Sequence, residues 1–463
     1  MKNLQEEISL QSQFHRGRPV HDPSLFVGRS KEAAEAILLL QQGQSVSIIG
    51  PRRIGKTSFL LHIWRKLKQK TPGQKDSPNL CPVYVDCASL GQVSAGEFYC
   101  RLAKTLDVQT RTQGIAFAAP VIKDATHITF RQFEQVARAA REAELQVIFL
   151  LDEFECLSEN PALDVDVFSS LRALAMEQSL TYATASTRPL LELNYSQVSV
   201  LSSPFFNFFA PLSLGLLNPE EARLLLETLS TRSGIPFEAA LIDRLCVLAG
   251  SHPLLLQIAG HHAFECLRRT GQYADAVVRE AFLDEARPHL EYFWKHLDEE
   301  DRRLLALLPI AARGDRQGVR RLEKACLILR VAHAGKPDEW RPFCEVFGAF
   351  VARQPARGLR PAPPIMLDEE QHLVLLQGVS LILTLTEFSL LACLVEAPGQ
   401  IVPRSRLEAC LGANGHGERF AVEVNESERL RATLRALRQS LGADAICIEN
   451  VRGFGYRFIC RDD

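Results

Sequence analysis

The chain lacks paired cysteine motifs. Its 463 residues include twelve cysteines, yet none form a C-x-x-C pair and no Cys/His spacing resembles a zinc site. The opening residues Met1–Glu7 also lack the apolar core of a signal peptide. Scattered thiols without an export signal predict reduced cysteines in a cytoplasm, and they argue against a disulfide scaffold.

Long hydrophobic runs and an excess of one charge are also missing. No uninterrupted apolar run reaches about 18 residues, and the most apolar window, Leu381–Val395, contains Thr384, Thr386 and Glu387. We therefore expect no membrane span. The formal net charge is −2, so a basic site for nucleic acid has to be local. The length favours about three domains, and the fractions of hydrophobic and charged residues, 46% and 23%, are those of a soluble globular protein.

A phosphate-binding motif is the strongest local signal. The motif G-x-x-x-x-G-K-T occupies Gly50–Thr57, after the β-branched run Ser45–Ile49 and before helical sequence. The N–H groups of such a loop and of the following helix attract phosphate. Lys56 would reach the β- and γ-phosphates, and the Thr57 hydroxyl would coordinate Mg²⁺. The nucleotide-binding candidates in the loop are Gly50, Pro51, Arg52, Arg53, Ile54, Gly55, Lys56, Thr57 and Ser58. The alternative is a chance match in a glycine-rich turn.

Acidic and basic candidates follow two later strands. The apolar run Val147–Leu151 leads into Asp152 and Glu153, which is typical of a Walker B strand. Asp152 would then hold Mg²⁺ through water, and Glu153 would polarise the attacking water. The strand Thr181–Ala185 precedes Arg188, which should lie at the carboxyl edge of the sheet. Arg188 is the candidate γ-phosphate sensor, and the alternative is a solvated loop arginine.

The alternation of strands and helices predicts the fold class. Five strands are expected, at Ser45–Ile49, Pro82–Asp86, Val147–Leu151, Thr181–Ala185 and near Phe205–Phe209. They predict an α/β domain with a parallel sheet that helices cover on both faces. From Asn218 onward the apolar period becomes helical, with Asn218 and Pro219 as a helix start. Taken alone, His252 before Pro253 would be a surface histidine at another helix start.

Five motifs in this order resemble the STAND class of AAA-related P-loop ATPases. They are Phe26–Arg29, Gly50–Thr57, Leu151–Glu153, Ser186–Arg188 and Gly250–Pro253, and the P-loop is most similar to that of the archaeal-type ATPases. The resemblance covers residues 25–353. It implies that Val27, Gly28 and Arg29 border the adenine and ribose and that Pro253 closes over the base. It also implies ATP or ADP with Mg²⁺, slow hydrolysis as a switch, and self-association in the ATP state. The superhelical repeats usual in the class are not found.

The last hundred residues carry a second resemblance. A first helix is expected to open with Leu383–Leu391, a second to follow the segment Gly399–Leu407, and a third to run over about 426–441. Leading strands are expected within Ile365–Leu383, and a hairpin over Val451–Phe458. Residues 366–463 resemble the winged-helix DNA-binding domain of OmpR/PhoB-type response regulators. The resemblance implies that the third helix is a recognition helix and that Arg452 lies at the wing. Because no receiver domain is found, the ATPase would occupy the input position.

Arginines on the third helix are the DNA-contact candidates. Arg431, Arg435 and Arg438 recur at helical spacing, about 100° from a leucine stripe. The full set is Arg429, Arg431, Arg435, Arg438 and Arg452. Residues 366–463 hold ten Lys and Arg against fourteen Asp and Glu, an acidic balance that is unusual for a DNA binder. The alternative is a solvated arginine face that contacts protein.

The two resemblances predict a multidomain chain. The expected parts are an N-terminal arm at 1–24, a P-loop NTPase domain at 25–214, a helical lid at 215–296, a winged-helix domain at 297–353, a Pro/Arg linker at 354–365 and the DNA-binding winged helix at 366–463. A basic turn in the middle winged helix, with Arg313, Arg316, Arg320 and Arg321, either touches DNA or is a solvated loop.

The predicted function is an ATP-dependent switch that binds double-stranded DNA, most consistent with a transcriptional regulator. Two alternatives stay open. One is a DNA-loading or remodelling ATPase of the transposition or replication type. The other is a signalling or defence hub that uses its winged helix for protein contacts. The signal and the DNA site do not follow from the sequence.

Overall fold

The structure is a computed structural model. It describes residues 11–69, 79–115, 124–177, 180–193, 204–306, 308, 316–331, 339–354, 365–368, 373–376, 379–381, 383–396, 401–412, 426–441, 448–451 and 454–458. The chain forms two compact units. The first comprises Met1–Trp294, Leu322–Leu329 and Pro342–Phe350, and the second comprises Lys295–Arg321, Arg330–Arg341 and Val351–Asp463. No helix among these described residues combines the length and apolar character needed to cross a membrane.

A five-stranded parallel sheet forms the centre of the first unit. Its strands are β1 (Val46–Ile49), β2 (Asn79–Asp86), β3 (Leu145–Asp152), β4 (Thr181–Ser186) and β5 (Ala210–Ser213). Their order across the sheet is β2-β3-β4-β1-β5, and the registered pairs are parallel. The parallel α/β sheet predicted from the sequence is confirmed. The carboxyl ends of β1 and β3, which carry the two nucleotide motifs, therefore point to the same edge.

The fifth strand differs from its prediction. Residues Pro204–Asn207 form a short 3₁₀ helix, and the strand comes later, at Ala210–Ser213. The Phe205 ring is fully buried and contacts the rings of Phe168 and Tyr182, with centroids 5.7 and 5.8 Å apart. The aromatic run therefore fills the core instead of pairing in the sheet. Pro211 is tolerated because β5 is an edge strand whose one partner is β1.

Helices cover both faces of this sheet. They are α1 (Ser30–Gln41), α2 (Lys56–Lys68), α3 (Ala95–Thr112), α4 (Phe130–Glu142), α5 (Glu155–Ser158) and α6 (Val165–Glu177). Alternate residues of β3 enter different cores: Phe149 and Leu151 belong to one apolar cluster, and Ile148 and Leu150 belong to another. Such alternation is expected when both faces of a strand are buried.

Four helices follow the sheet, in the region where the sequence predicts a helical lid, and we call them the lid. They are α7 (Pro219–Arg232), α8 (Ala239–Ala249), α9 (Pro253–Thr270) and α10 (Asp275–Lys295). The predicted cap of α7 is confirmed, because the Asn218 side chain accepts a hydrogen bond from the Glu221 N–H at 2.8 Å. The Glu221 carboxylate completes a capping box by accepting from the Asn218 N–H.

The expectation of a surface histidine at position 252 is wrong. His252 is 2% exposed, and its ring lies 5.4 Å from that of Phe293 and 5.8 Å from that of Phe343. Burial lowers the pKa of His252 to about 3. The tertiary fold buries this side chain under an aromatic residue about ninety positions later, which local sequence cannot indicate.

The next elements are α11 (Glu299–Ala306), α12 (Arg316–Lys324), β6 (Ile328–Val331), β7 (Glu339–Pro342) and α13 (Glu345–Ala352). The predicted basic turn is wrong where it is described, since Arg316, Arg320 and Arg321 belong to α12. Arg321 forms an ion pair with the buried Asp301 at 2.7 Å. Arg313 lies outside the described residues. Arg321 therefore has a structural partner, whereas Arg316 and Arg320 are exposed.

The C-terminal part of the second unit has the predicted winged-helix elements. Strands β8 (Ile365–Asp368), β9 (Leu373–Leu376) and β10 (Val379–Leu381) form an antiparallel sheet. Helices α14 (Leu385–Val395), α15 (Arg404–Gly412) and α16 (Glu426–Leu441) follow. Strands β11 (Ile401–Pro403), β12 (Ile448–Val451) and β13 (Gly455–Phe458) pair in the order β11-β13-β12. The leucine stripe of α16, at 430, 434, 437 and 441, is buried in one core.

Candidate nucleotide site and nucleic-acid interface

The phosphate-binding loop has two glycines with different roles. Gly55 has a φ of 101°, a left-handed conformation that favours glycine, and it caps the start of α2. A Cβ on Gly50 would lie 2.7 Å from the Leu214 carbonyl oxygen and 2.9 Å from Cγ2 of Ile54, so this position needs glycine for space. Within the described part of the chain, no side chain caps α2. Its first N–H groups are therefore available to an anion.

Lys56 lies inside this loop. Its Nζ donates to the carbonyl oxygens of Gly50 at 2.8 Å and Pro51 at 3.2 Å. Burial lowers the pKa of Lys56, and the nearby carboxylates of Glu155 and Asp152 oppose that shift. The ammonium is thus held by the loop where the phosphates of a nucleotide would enter.

Two neighbouring acids at the end of β3 have different surroundings. Asp152 is 3% exposed, and its Oδ2 accepts a hydrogen bond from the Tyr84 hydroxyl at 2.9 Å. Its Oδ1 accepts from the Glu153 N–H at 3.0 Å. Glu153 has a left-handed φ of 49° and an exposed side chain. Loss of solvent at its carboxylate, together with the Asp152 charge, raises the pKa of Glu153. Asp152 is therefore held in place, whereas Glu153 can face a ligand.

A cavity of about 520 Å³ brings the predicted groups together. The predicted residues among its lining are Arg52, Arg53, Gly55, Lys56, Thr57, Ser58, Asp152, Glu153 and Pro253. Gly50, Pro51 and the buried Ile54 complete the loop behind them. The cavity thus joins the phosphate-binding loop, the acidic end of β3 and the start of the lid helix α9.

Arg188 is placed differently from this set. Its side chain is exposed, and it is not among the described residues that line the cavity, although the preceding Thr187 is. Its carbonyl oxygen accepts a hydrogen bond from the Ser186 hydroxyl at 2.7 Å. The sensor role of Arg188 stays a prediction.

The segment Val27–Arg29 contacts the start of the lid. Arg29 is 5% exposed, and its guanidinium donates to the carbonyls of Gly215 and Leu216, while its N–H donates to the Glu221 carboxylate at 2.6 Å. None of Val27, Gly28 and Arg29 is among the described residues lining the cavity. Their contact with adenine and ribose stays a prediction. The structure adds a connection between the NTPase domain and the lid.

Several lining residues were missed by sequence reasoning. The N-terminal arm supplies His15, Gly17, Arg18 and Pro19, and the lid supplies Gln257 and Tyr292. Glu155 also lines the cavity, and its buried Oε2 has no hydrogen-bond partner in the described part of the chain. The Arg52 guanidinium lies 5.2 Å from the centre of the Tyr292 ring, which is a cation–π distance. The basic run His15–Arg18 beside Pro19 was the one local signal for the arm.

The predicted DNA-contact arginines of α16 separate into two groups. Arg429, Arg431 and Arg435 are exposed. Arg438 is half-buried, because its Nη2 donates to the Ile448 carbonyl at 2.8 Å and its guanidinium lies 6.0 Å from the Tyr456 ring. Arg438 therefore connects α16 to the hairpin strands. Arg452 lies outside the described residues.

The hairpin carries one further exposed group. Phe454 is 71% exposed in the turn between β12 and β13, and its N–H donates to the Val451 carbonyl at 3.0 Å. Sequence reasoning did not single it out, although glycine on both sides was a signal for a turn. Arg457 on β13 pairs with Glu449 on β12.

The comparison with protein families covers most of these elements. Residues 36–313 match the family described as Novel STAND NTPase 2, which is more than half of the chain. The chain belongs to this family. Residues 378–458 of this STAND NTPase match a second family, described as transcriptional regulatory protein, C terminal. The NTPase domain and the response-regulator type of winged helix are both confirmed.

A curated relative and two solved structures are similar to parts of this chain. The response regulator ArlR of Staphylococcus saprophyticus is 33% identical over 121 residues, which are 26% of this chain and 53% of ArlR. The chain thus spans about half the length of that curated relative. The Walker-type ATPase of Pyrococcus abyssi has a TM-score of 0.51 at 13% identity, with coverage of 72% of this chain and 98% of that chain. This similarity shows the fold of the STAND NTPase. The Aeropyrum pernix ORC2 protein has a TM-score of 0.45 at 12% identity, over 70% and 95% of the two chains.

Proposed function

We propose that the chain is an ATP-dependent molecular switch that binds DNA through its C-terminal winged helix and regulates transcription. The observation that carries the proposal is one cavity lined by Lys56, Thr57, Asp152 and Glu153 in a STAND NTPase. The same chain has a C-terminal domain of the transcriptional regulatory family. The presence of a nucleotide site and a DNA-binding domain in one chain supports control of DNA binding by the bound nucleotide.

The cavity residues fit a magnesium nucleotide. The uncapped start of α2 and the Lys56 ammonium suit the phosphates. Thr57 and Asp152 are the residues that would hold Mg²⁺, which neutralises phosphate charge when bound. Glu153 would orient the attacking water, and its raised pKa is typical of a proton acceptor near a reacting group. Hydrolysis would be slow and would reset the switch.

The lid would convert nucleotide state into a change of shape. Arg29 connects the NTPase domain to the start of the lid, and Pro253 lines the cavity from α9. A nucleotide can shift the lid only if ATP and ADP stabilise different arrangements. We propose a compact ADP-bound monomer and an ATP form that associates with other copies, with Arg188 sensing the γ-phosphate.

DNA binding would depend on a few placed cations. The acidic balance of residues 366–463 predicts weak non-specific affinity. Exposed Arg431 and Arg435 on α16 are the candidates for base or phosphate contact, with Arg429 beside them and Arg452 at the wing. Self-association in the ATP state would add avidity by joining two half-sites.

Selection of binding sites from random duplexes tests the proposal. The full chain would be used with ATP, with ADP, and as Lys56→Ala with ATP. We expect enrichment of one short sequence that is strongest with ATP and lost in the Lys56→Ala control. Diffuse, ATP-dependent retention would favour a DNA-loading ATPase instead. If no duplex is retained under any condition, the winged helix serves a protein partner and the regulator proposal is wrong.

A further inference from the structure

The N-terminal arm is attached to the lid at one end. We call residues 11–24 the strap. Phe14 is 6% exposed, and its ring stacks on Phe237 with centroids 5.9 Å apart. The Gln13 N–H donates to the Ser233 hydroxyl at 2.9 Å, and the His15 N–H donates to the Gln257 side chain. These contacts place the start of the strap on two segments of the lid, the connection between α7 and α8 and the helix α9.

The strap is attached to the phosphate-binding loop at its other end. Arg53 Nη1 donates to the Gly17 carbonyl at 2.9 Å. The Val20 N–H donates to the Ser58 hydroxyl at 3.0 Å, and Val20 itself is buried. Ser58 lies in the first turn of α2, directly after Thr57. The stretch between Phe14 and Val20 therefore passes from the lid to the start of the phosphate-binding helix.

Two side chains of this stretch have unused polar groups. Nε2 of His15 is buried and has no hydrogen-bond partner in the described part of the chain. Arg18 is exposed, and the described residues provide its guanidinium with no ion pair or hydrogen bond. By contrast, Arg16 is paired with Glu285 at 2.8 Å. His15 and Arg18 both line the cavity that contains Lys56 and Thr57, whereas Arg16 does not.

We propose that the strap is part of the nucleotide site, with Arg18 binding the phosphates and His15 forming a hydrogen bond to the same nucleotide. This inference rests on the proposed nucleotide-binding function. A guanidinium presents parallel N–H groups that match phosphate oxygens, and such charge-assisted bonds are stronger than neutral ones. A buried polar nitrogen without a partner is costly unless a ligand satisfies it.

The chemistry of His15 agrees with this assignment. Burial and the neighbouring His21 lower the pKa of His15, so the imidazole is neutral at physiological pH and one ring nitrogen can accept while the other donates. The phosphate charge is then matched by Arg18 and by the loop residues Lys56 and Arg52. Because the strap contacts both the lid and α2, a bound nucleotide would hold these two elements together through it.

Nucleotide titrations of the full chain test the inference. Fluorescent ATP and ADP analogues would be titrated into wild-type protein, Arg18→Ala, Arg18→Lys and Lys56→Ala. We expect Arg18→Ala to raise the dissociation constant about tenfold or more, since the loss of one hydrogen bond between charged groups changes a binding constant by roughly a factor of ten or above. Arg18→Lys should recover part of that loss because it restores the charge.

Arg16→Ala is the matched control. This variant removes a guanidinium of the same charge two positions before Arg18, and that guanidinium already has a partner, Glu285, outside the cavity. Exposed ion pairs contribute little, so we expect a change below about fivefold. Equal thermal midpoints for Arg18→Ala and wild type would show that folding is intact, as expected for an exposed side chain.

The outcomes separate this inference from the proposed function. If Lys56→Ala loses binding but Arg18→Ala binds as tightly as wild type, the strap assignment is overturned and the nucleotide site stands. If Arg16→Ala weakens binding as much as Arg18→Ala, the effect is general electrostatics and the assignment is also overturned. If wild-type protein binds neither analogue, the proposed nucleotide function itself fails.

Discussion

Replacing Gly260 with alanine should displace the strap from the lid. Gly260 lies inside α9, and a Cβ there would be 2.7 Å from Cζ and 2.8 Å from Cδ1 of Phe14. The Phe14 ring has to move, and overpacking of this kind costs about 1–3 kcal/mol. Alanine is favoured over glycine inside a helix by roughly 1 kcal/mol. We therefore expect the free energy of unfolding of the first unit to fall by about 0–2 kcal/mol.

The second variant needed is Phe14→Ala. Removing a buried phenylalanine ring costs about 3–5 kcal/mol, and the lower end applies because the ring is on a terminal segment. In the double variant the new methyl group meets no ring, so the clash disappears while the helix preference remains. The double-mutant cycle should therefore show a favourable coupling of about 1–3 kcal/mol.

Chemical unfolding and hydrogen exchange measure these effects. In Gly260→Ala the amides of the strap, such as those of Gln13 and His15, should exchange faster than in wild type, because their acceptors lie on the lid. Gly348→Ala is the control, since the helical Gly348 has room for a Cβ at 3.5 Å from Pro342 Cγ. It should leave strap exchange unchanged. Strictly additive effects of Phe14→Ala and Gly260→Ala would refute the docking of the strap on α9.

Four further predictions concern nucleotide, assembly, DNA and pH. Lys56→Ala should abolish ATP binding and Glu153→Gln should bind ATP without turnover; undiminished hydrolysis by Glu153→Gln would remove this residue from catalysis. Light scattering of Glu153→Gln should give a larger mass with ATP than with ADP, and identical masses over a wide concentration range would reject the assembly. Arg435→Ala should weaken the free energy of DNA binding by about 1–3 kcal/mol through lost preference at one base pair, and equal losses of affinity on every sequence would exclude base readout. Arg452→Ala should weaken binding to all sequences alike and lower the slope of log affinity against log salt by roughly one unit. Burial lowers the pKa of His252 to about 3, so on acidification the unfolded chain takes up a proton at this histidine before the folded chain does, and the free energy of unfolding should fall by about 1.4 kcal/mol per pH unit below roughly pH 6. His252→Gln should flatten that slope in denaturation curves at pH 4 to 7, and an unchanged slope would contradict the assignment to His252.

The nucleotide motifs could be predicted because their chemistry is local. A phosphate-binding loop needs a strand, a glycine-rich turn and a helix start within about fifteen consecutive residues, and Gly50–Thr57 has this context. The same holds for the cap at Asn218 and for the leucine stripe of α16, where helical spacing alone identifies the buried face. Asp152 and Lys56 could be assigned to one site because parallel strands end at one edge.

The surroundings of these motifs could not be predicted, because their partners are distant in sequence. The His15 N–H finds its acceptor 242 positions later, and the Arg29 N–H finds its acceptor 192 positions later. The aromatic run at Phe205 had strand-like composition, but the space beside Tyr182 decided that it would pack in the core. Arg438 had the spacing of a DNA contact, but the carbonyl of Ile448 was within reach.

The sequence alone therefore determined which phosphate-binding and winged-helix motifs the chain carries, since motif spacing is a property of consecutive residues. Only the tertiary structure decided which side chains surround the cavity at the phosphate-binding loop. The strap shows the reason: His15 and Arg18 form no motif, and their role depends on Phe14 packing against α9 and on Val20 bonding to Ser58. Such contacts depend on the three-dimensional closeness of segments that the sequence separates.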